Sequence, residues 1–159
     1  MDEKRVQIFV NGARDYFSVV SNTPAEVGAP YLSEAIENDL LDFTGIIGIS
    51  GACRGRIYFT APSAMLRHIL VAMGEVHSDR AYMADMVGEA ANTLSGNSRR
   101  ELGRDFVISP PTVIEGMPPK DHLPHNLRSL VIPITWQKYR ASLVLSVETD
   151  HGGANRMTL

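Results

Sequence analysis

Apolar residues recur at three- and four-residue intervals near the start of the chain. Val6, Phe9, Val10, Ala13, Phe17 and Val20 fall on one face, with Arg14 and Asp15 off it, so the spacing predicts a helix over residues 6–20. Asn22-Thr23-Pro24 breaks the pattern. Residues 25–33 read as a strand, and Gly28 and Pro30 place it at an edge or a strand end. Residues 34–42 fit either period. Residues 43–50 and 53–60 are rich in β-branched and aromatic side chains, which predicts two strands joined around Gly51. In the second, Arg54, Arg56 and Tyr58 alternate with Cys53, Ile57 and Phe59, predicting one wet face and one dry face. Pro62 suits the first turn of a helix, with Thr60 or Ala61 as its cap. Met65, Leu66, Ile69, Leu70 and Met73 make the buried stripe of that helix, and Gly74 ends it.

The longest helical period covers residues 79–102. Met83, Val87, Ala90 and Leu94 form its apolar stripe, while Asp85, Glu89, Asn92, Gly96 and Arg99 project to the opposite side at about 100° per residue. Ser78 or Asp79 can cap the start, and Arg99 and Arg100 suit the far end of the helix dipole. Gly88 and Gly96 read as lying on or beside the polar face, where each costs about 1 kcal/mol relative to alanine. Glycines flanking Glu89 and Asn92 would let another backbone approach closely. A plainer reading also fits: any surface helix is polar outside, and Gly96 can be a C′ residue.

Beyond Gly103 the pattern turns to strands, at 106–109 and 112–115, separated by Pro110-Pro111. A proline-rich loop at 116–126 follows, and then a hairpin of 127–135 and 139–148 across Trp136-Gln137-Lys138. The tail, 150–159, is expected to be loose. Strands flanking helices predict an α+β fold. The expectation is a single domain over residues 1–149, with a largely antiparallel sheet packed with a central pair of helices and an N-terminal helix.

Size and charge narrow the function classes. A chain of 159 residues is most simply one domain and can bury a core without staples. Cys53 is its one cysteine, so neither a disulfide framework nor a cysteine zinc site forms within the chain, and a reducing cytoplasm fits. A net charge of −3 with interspersed arginines gives no electrostatic footprint for nucleic acid. No run of about 18 apolar residues exists to span a membrane, and the first ten residues lack the apolar core of a signal peptide.

Few residues are left for chemistry. Gly45, Gly48 and Gly51 are followed by no GK[ST] and no helix, so they read as close packing of sheet against helix and not as a phosphate loop. His122 and His125 lie near Asp121 at ligand-like spacing, but in a loop without a third ligand or a rigid frame, so no metal site is assigned. His68 and His77 have no serine or cysteine partner in view, and Cys53 reads as a small hydrophobe in a strand. Glu89 and Asn92 remain. At i and i+3 they present a carboxylate and an amide side by side, with Cβ atoms about 5–6 Å apart. An amide donates and accepts hydrogen bonds without titrating, which suits the positioning of a water in phosphoryl transfer.

These residues carry a resemblance. Gly88-Glu89-Ala90-Ala91-Asn92, followed by Gly96-Asn97, resembles the E-x-x-N signature of the CheC/CheX/FliY family, phosphatases of the phosphorylated chemotaxis response regulator. Upstream, Gly45-Ile46-Ile47-Gly48-Ile49-Ser50-Gly51 and Gly55-Arg56-Ile57-Tyr58-Phe59 resemble the hairpin that precedes the helices in CheX. The similarity covers roughly residues 6–147. One signature is present where CheC-type proteins carry two, which points to the CheX type. Thr93-Leu94-Ser95 departs from the more apolar residues usual there.

The resemblance implies that Asn92 orients the attacking water and that Glu89 engages a lysine of a phosphorylated CheY-like response regulator. Asp85, Gly88 and Gly96 are then expected to contact that partner. It also implies a cytoplasmic homodimer that forms through its sheet, and no cofactor of its own; the apolar strands near the C-terminus could pair edge to edge or pack across a two-fold axis. The Mg2+ ion is expected on the partner response regulator. The alternative is a non-catalytic dimer that docks on a receiver to sequester or localise it.

Overall fold

The computed structural model describes residues 3–51, 53–124 and 128–149, the side chain of Thr149 excepted. The histidine at position 125 and the tail at 150–159 lie outside the described residues. Three helices, α1 (Glu3–Ser21), α2 (Ser63–Ala72) and α3 (Arg80–Leu102), pack against one face of a sheet. Its strands are β1 (Glu26–Val27), β2 (Tyr31–Ser33), β3 (Phe43–Gly51), β4 (Cys53–Ala61), β5 (Phe106–Ile108), β6 (Thr112–Glu115), β7 (Ser129–Trp136) and β8 (Tyr139–Thr149). All pairings are antiparallel. The order is β1-β7-β8-β4-β3-β5, with β2 also on β7 and β6 also on β3. The architecture is the α+β domain expected from the pattern of periods.

The hairpins form where the alternation predicts them, β3 with β4 and β7 with β8. Residues 25–33 divide into two short strands around Gly28-Ala29-Pro30, and both lie on the β7 edge. Proline has no N–H for a ladder, so an edge is where it does least harm. The C-terminal strands do not supply a free edge, however. β8 lies between β4 and β7, and β7 is covered by β1 and β2, so the outermost strands are β1 and β2 on one side and β5 and β6 on the other.

Both faces of the sheet carry a buried apolar cluster, although Arg54, expected on the wet face, is exposed there and Arg56 is half-buried. The helical face buries Phe9, Phe17, Ile47, Ile57, Phe59, Leu66, Ile69, Val87, Leu94, Leu143 and Leu145 in one cluster. The opposite face buries Ile36, Ile46, Tyr58, Val131 and Val144, covered in part by Ile114 and Leu123. Tyr58, expected on a wet face, is 0% exposed. Its hydroxyl donates to the His122 carbonyl at 2.5 Å, and Arg56 donates to the Asp121 carbonyl at 2.7 Å, so the loop around the short 3-10 turn Lys120–His122 closes over both. Burial pushes the Tyr58 hydroxyl pKa up, and Arg56 beside it pulls the other way.

α1 keeps its apolar stripe inward and adds Tyr16 and Ser21 to it. Trp136 Nε1 donates to Ser21 Oγ at 2.8 Å, which ties the end of α1 to the end of β7. α2 starts one residue later than its sequence signals suggest. Pro62 is its N-cap, and the capping acceptor comes from afar, since Ser63 N donates to Asp42 Oδ2 at 2.8 Å. Met73 lies past the last turn and is 46% exposed, not buried. Gly74 ends the helix at φ +83°, a value that glycine adopts without steric cost. Among the described helices none is long and apolar enough to cross a membrane.

Candidate functional site

The fold lifts one surface of α3 clear of everything else. Asp79 caps the helix, its side chain accepting from Tyr82 N at 3.2 Å, and Gly103 stops it. Its buried residues are Met83, Met86, Val87, Gly88, Ala90, Ala91, Leu94, Ser95 and Ser98. That arc is wider than the apolar stripe because α3 packs on several neighbours at once: β3 below, α1 on one flank and β6 on the other, with β4, α2 and β5 also in contact. Small residues make the flanks possible.

Two glycines set the depth of α3. A Cβ at Gly45 of β3 would stand 2.7 Å from the Val87 carbonyl oxygen and 2.9 Å from Ala91 Cβ, so the helix backbone descends onto β3 at that point. A Cβ at Gly88 would stand 2.9 Å from Val113 Cγ2 of β6. Gly88 is therefore buried against the sheet's edge and offers no surface to a partner, contrary to its expected place beside the polar face. The helical projection put it there because glycine carries no hydropathy signal, while its burial comes from β6, an element distant in sequence. Gly45 has the packing role expected of it.

Asp85, Glu89 and Asn92 are exposed. Glu89 and Asn92 lie one turn apart on the same surface, and Thr93 is exposed beside them while Leu94 and Ser95 turn inward. The two side chains therefore keep the i, i+3 adjacency that lets a carboxylate and an amide meet one small target. Gly96 follows by four residues, about 6 Å along the axis. No atom lies within 4 Å of a Cβ placed on Gly96, so nothing inside the chain requires a glycine there. It is not a terminator either, since the helix continues to Leu102.

α1 borders the site, which the sequence pattern did not reveal. Tyr16 is 6% exposed, and the pKa of its hydroxyl is pushed up to about 12, first by burial and then by the negative charge of Glu89. The Glu89 carboxylate is thus close enough to be felt across the seam between the helices. A tyrosine three residues from Ala13, in step with the α1 stripe, was the available signal. Toward the other end of α3, Arg100 donates to Asn97 Oδ1, and Arg99 Nε donates to the Phe106 carbonyl at 2.9 Å, which fastens the start of β5. At the N-terminal end Arg80 pairs with Glu115 at 2.5 Å, an exposed bridge of little energetic weight.

Among the described residues no three histidine, cysteine, aspartate or glutamate side chains gather as a metal site. Cys53 is buried in the helical-face cluster, and burial raises its thiol pKa. His68 packs its ring edge-on against Trp136 and Tyr139, a structural contact.

Solved structures share this fold. CheX from Desulfovibrio desulfuricans is 24% identical, with 91% of this chain and 99% of that chain covered and a TM-score of 0.77. A CheC-like superfamily protein from Shewanella sp. PV-4 is 21% identical, with coverage of 93% and 99% and a TM-score of 0.78. A chain of the CheX–CheY–BeF3–Mg2+ complex from Borrelia burgdorferi is 19% identical, with coverage of 91% and 97% and a TM-score of 0.73. No curated protein matches the chain in sequence. The family model of the chemotaxis phosphatase CheX matches residues 43–135, more than half of the chain and the stretch that holds all of α3, and the chain belongs to the CheX family.

Proposed function

We propose that the protein accelerates hydrolysis of the aspartyl phosphate on a phosphorylated CheY-like response regulator. The observation that carries this reading is the exposed pair Glu89 and Asn92 on the lifted surface of α3. Membership of the CheX family supports it, as does the fold shared with a relative solved in complex with CheY. In this reading Asn92 enters the receiver's active site and holds the attacking water. Glu89 meets a lysine there and anchors the complex, and Asp85 and Gly96 line the contact. The phosphoryl group and its Mg2+ ion belong to the receiver, and no residue of this chain is asked to hold a metal. The reaction would take place in the cytoplasm.

Water positioning is the part of acyl phosphate hydrolysis that a helper protein can improve, because the chemistry needs little beyond placement and charge management. Asn92→Ala removes the amide from an exposed helix position without emptying any core volume, so the fold should hold. The rate of phosphate release at saturating receiver should fall by about 10²–10³, the usual effect of losing one preorganised polar group. Glu89→Ala should weaken binding as well as turnover, since a charged pair in a partly desolvated contact matters more than a surface bridge. Single-turnover phosphate release beside a binding titration, both with phosphorylated receiver, makes the test. Wild-type rates from Asn92→Ala would leave the chain a receiver-docking module without catalysis.

We also infer a symmetric homodimer. The resemblance to CheX supports this, and the outermost described strands, β5 and β6 or β1 and β2, are the candidates for edge pairing. Sedimentation velocity at micromolar concentration decides it, and a single monomer boundary would refute it.

A further inference from the structure

Past Asn92 the exposed surface of α3 does not end on open solvent. It runs over Gly96 into a groove of about 360 Å3 between α1 and α3, lined by Ile8, Asn11, Gly12 and Asp15 of α1 and by Asn97, Arg100 and Glu101 of α3. The helices come close at its floor, where a Cβ on Gly12 would meet Ser98 Oγ at 3.8 Å. Gly12 faces Ser98 and Tyr16 feels Glu89, so α1 runs antiparallel to α3, and Asp15 stands between the groove and the Glu89 site. One turn beyond Asp15, Val19 is 83% exposed. The groove and the Glu89–Asn92 pair are therefore two parts of one continuous surface.

Charge states what this groove accepts. Asp15 and Glu101 are exposed at its walls. The one cation in the lining, Arg100, donates to Asn97 of the same helix and keeps its charge, so the two carboxylates leave the groove acidic by one charge. Glu89 and Asp85 extend the same sign along the surface. Resting on the reading that the chain dephosphorylates a receiver, we propose that this groove is the selective half of the docking surface. It takes a basic segment of the receiver, whose backbone crosses the open Gly96 and whose lysine or arginine side chain enters between Asp15 and Glu101. Glu89 and Asn92 then serve the chemistry common to all receivers, while Asp15 and Glu101 discriminate among them by a residue pair outside the receiver's active site.

The test is charge reversal in the full chain, Asp15→Arg with Glu101→Arg, assayed with phosphorylated receivers. KM should rise about tenfold or more, because the reversed charges would meet the receiver's basic segment with like sign. Turnover at saturating receiver should change far less, the mark of lost binding that is equal in the ground state and the transition state. Raised salt should narrow the gap between variant and wild type. Glu37→Arg, the same charge change in the 3-10 turn on the opposite side of the sheet, is the control and should leave KM within about twofold. Asp15→Asn, which keeps the shape, should give a smaller rise in the same direction and covers the case of a misfolded double variant. A double variant with wild-type KM and wild-type melting temperature overturns the groove and leaves the Glu89–Asn92 reading intact. A wild-type chain that neither binds nor dephosphorylates any receiver overturns that reading and the groove with it.

Discussion

The two glycines of α3 have similar sequence surroundings and opposite fates. Gly88 lies where Val113 of β6 presses on the helix, and Gly96 lies under empty space. One absent side chain serves the fold, and the other serves nothing within the chain. The contrast extends to the two sides of the helix. The inner side sets alanine, glycine and serine among its methionine, valine and leucine side chains so that strand, helix and edge strand can all come close. The outer side keeps a carboxylate, an amide and a bare patch of backbone in water.

The largest way to probe that division is at the seam between α1 and α3. With its hydroxyl pKa near 12 in the folded protein and near 10 when unfolded, Tyr16 holds its proton more tightly in the native state. Its contribution is intact below about pH 10 and is lost as the pH rises toward 12, since the unfolded chain then binds fewer protons. A shift of this size corresponds to about 2–3 kcal/mol. Tyr16→Phe should therefore flatten the alkaline loss of stability relative to wild type, as measured by urea unfolding between about pH 10 and 12. Glu89→Gln should bring the Tyr16 pKa partway down, which a near-ultraviolet absorbance titration reads as a change in the part of the tyrosine signal that Tyr16→Phe removes. An unmoved titration would mean that Glu89 is not at the seam.

Next in size is Gly88→Ala. Its methyl group must displace Val113, a β-branched side chain with little freedom, and should cost about 2 kcal/mol after the gain in helix propensity. Gly96→Ala is the smallest and has the opposite sign. With no neighbour to meet, it should stabilise the chain by about 1 kcal/mol, or a melting temperature raised by about 2–4 °C. It should also raise KM for the receiver several-fold. Stability gained with KM unchanged would show that the bare backbone at Gly96 touches nothing in the complex.

Much of this was legible beforehand, and the failures share a cause. The span of α3 was readable from its 3.6-residue period, its capping aspartate and the following glycine, all local signals. The exposure of Glu89 and Asn92 followed from their angle to Val87 and Leu94. Gly88 and Tyr58 were misplaced because each is buried by an element far away in sequence, β6 for the glycine and the loop around Lys120–His122 for the tyrosine. Alternation along a strand identifies a second face but not whether a loop covers it. The α1 wall of the groove, Asn11 and Asp15, was invisible for the same reason. Two polar residues beside an apolar stripe read as ordinary surface until another helix lies next to them.

Trp136 carries one more consequence. It is the only tryptophan in the chain, fully buried, and its indole N–H is held by Ser21, 115 residues away in sequence. Bringing those residues together joins the first helix to the last hairpin, a non-local step of the kind that slows folding. The emission of this single indole is thus an intrinsic optical clock. It should shift to the blue when the N-terminal helix docks on the finished hairpin, and its rate times the closure of the chain's two ends into one body.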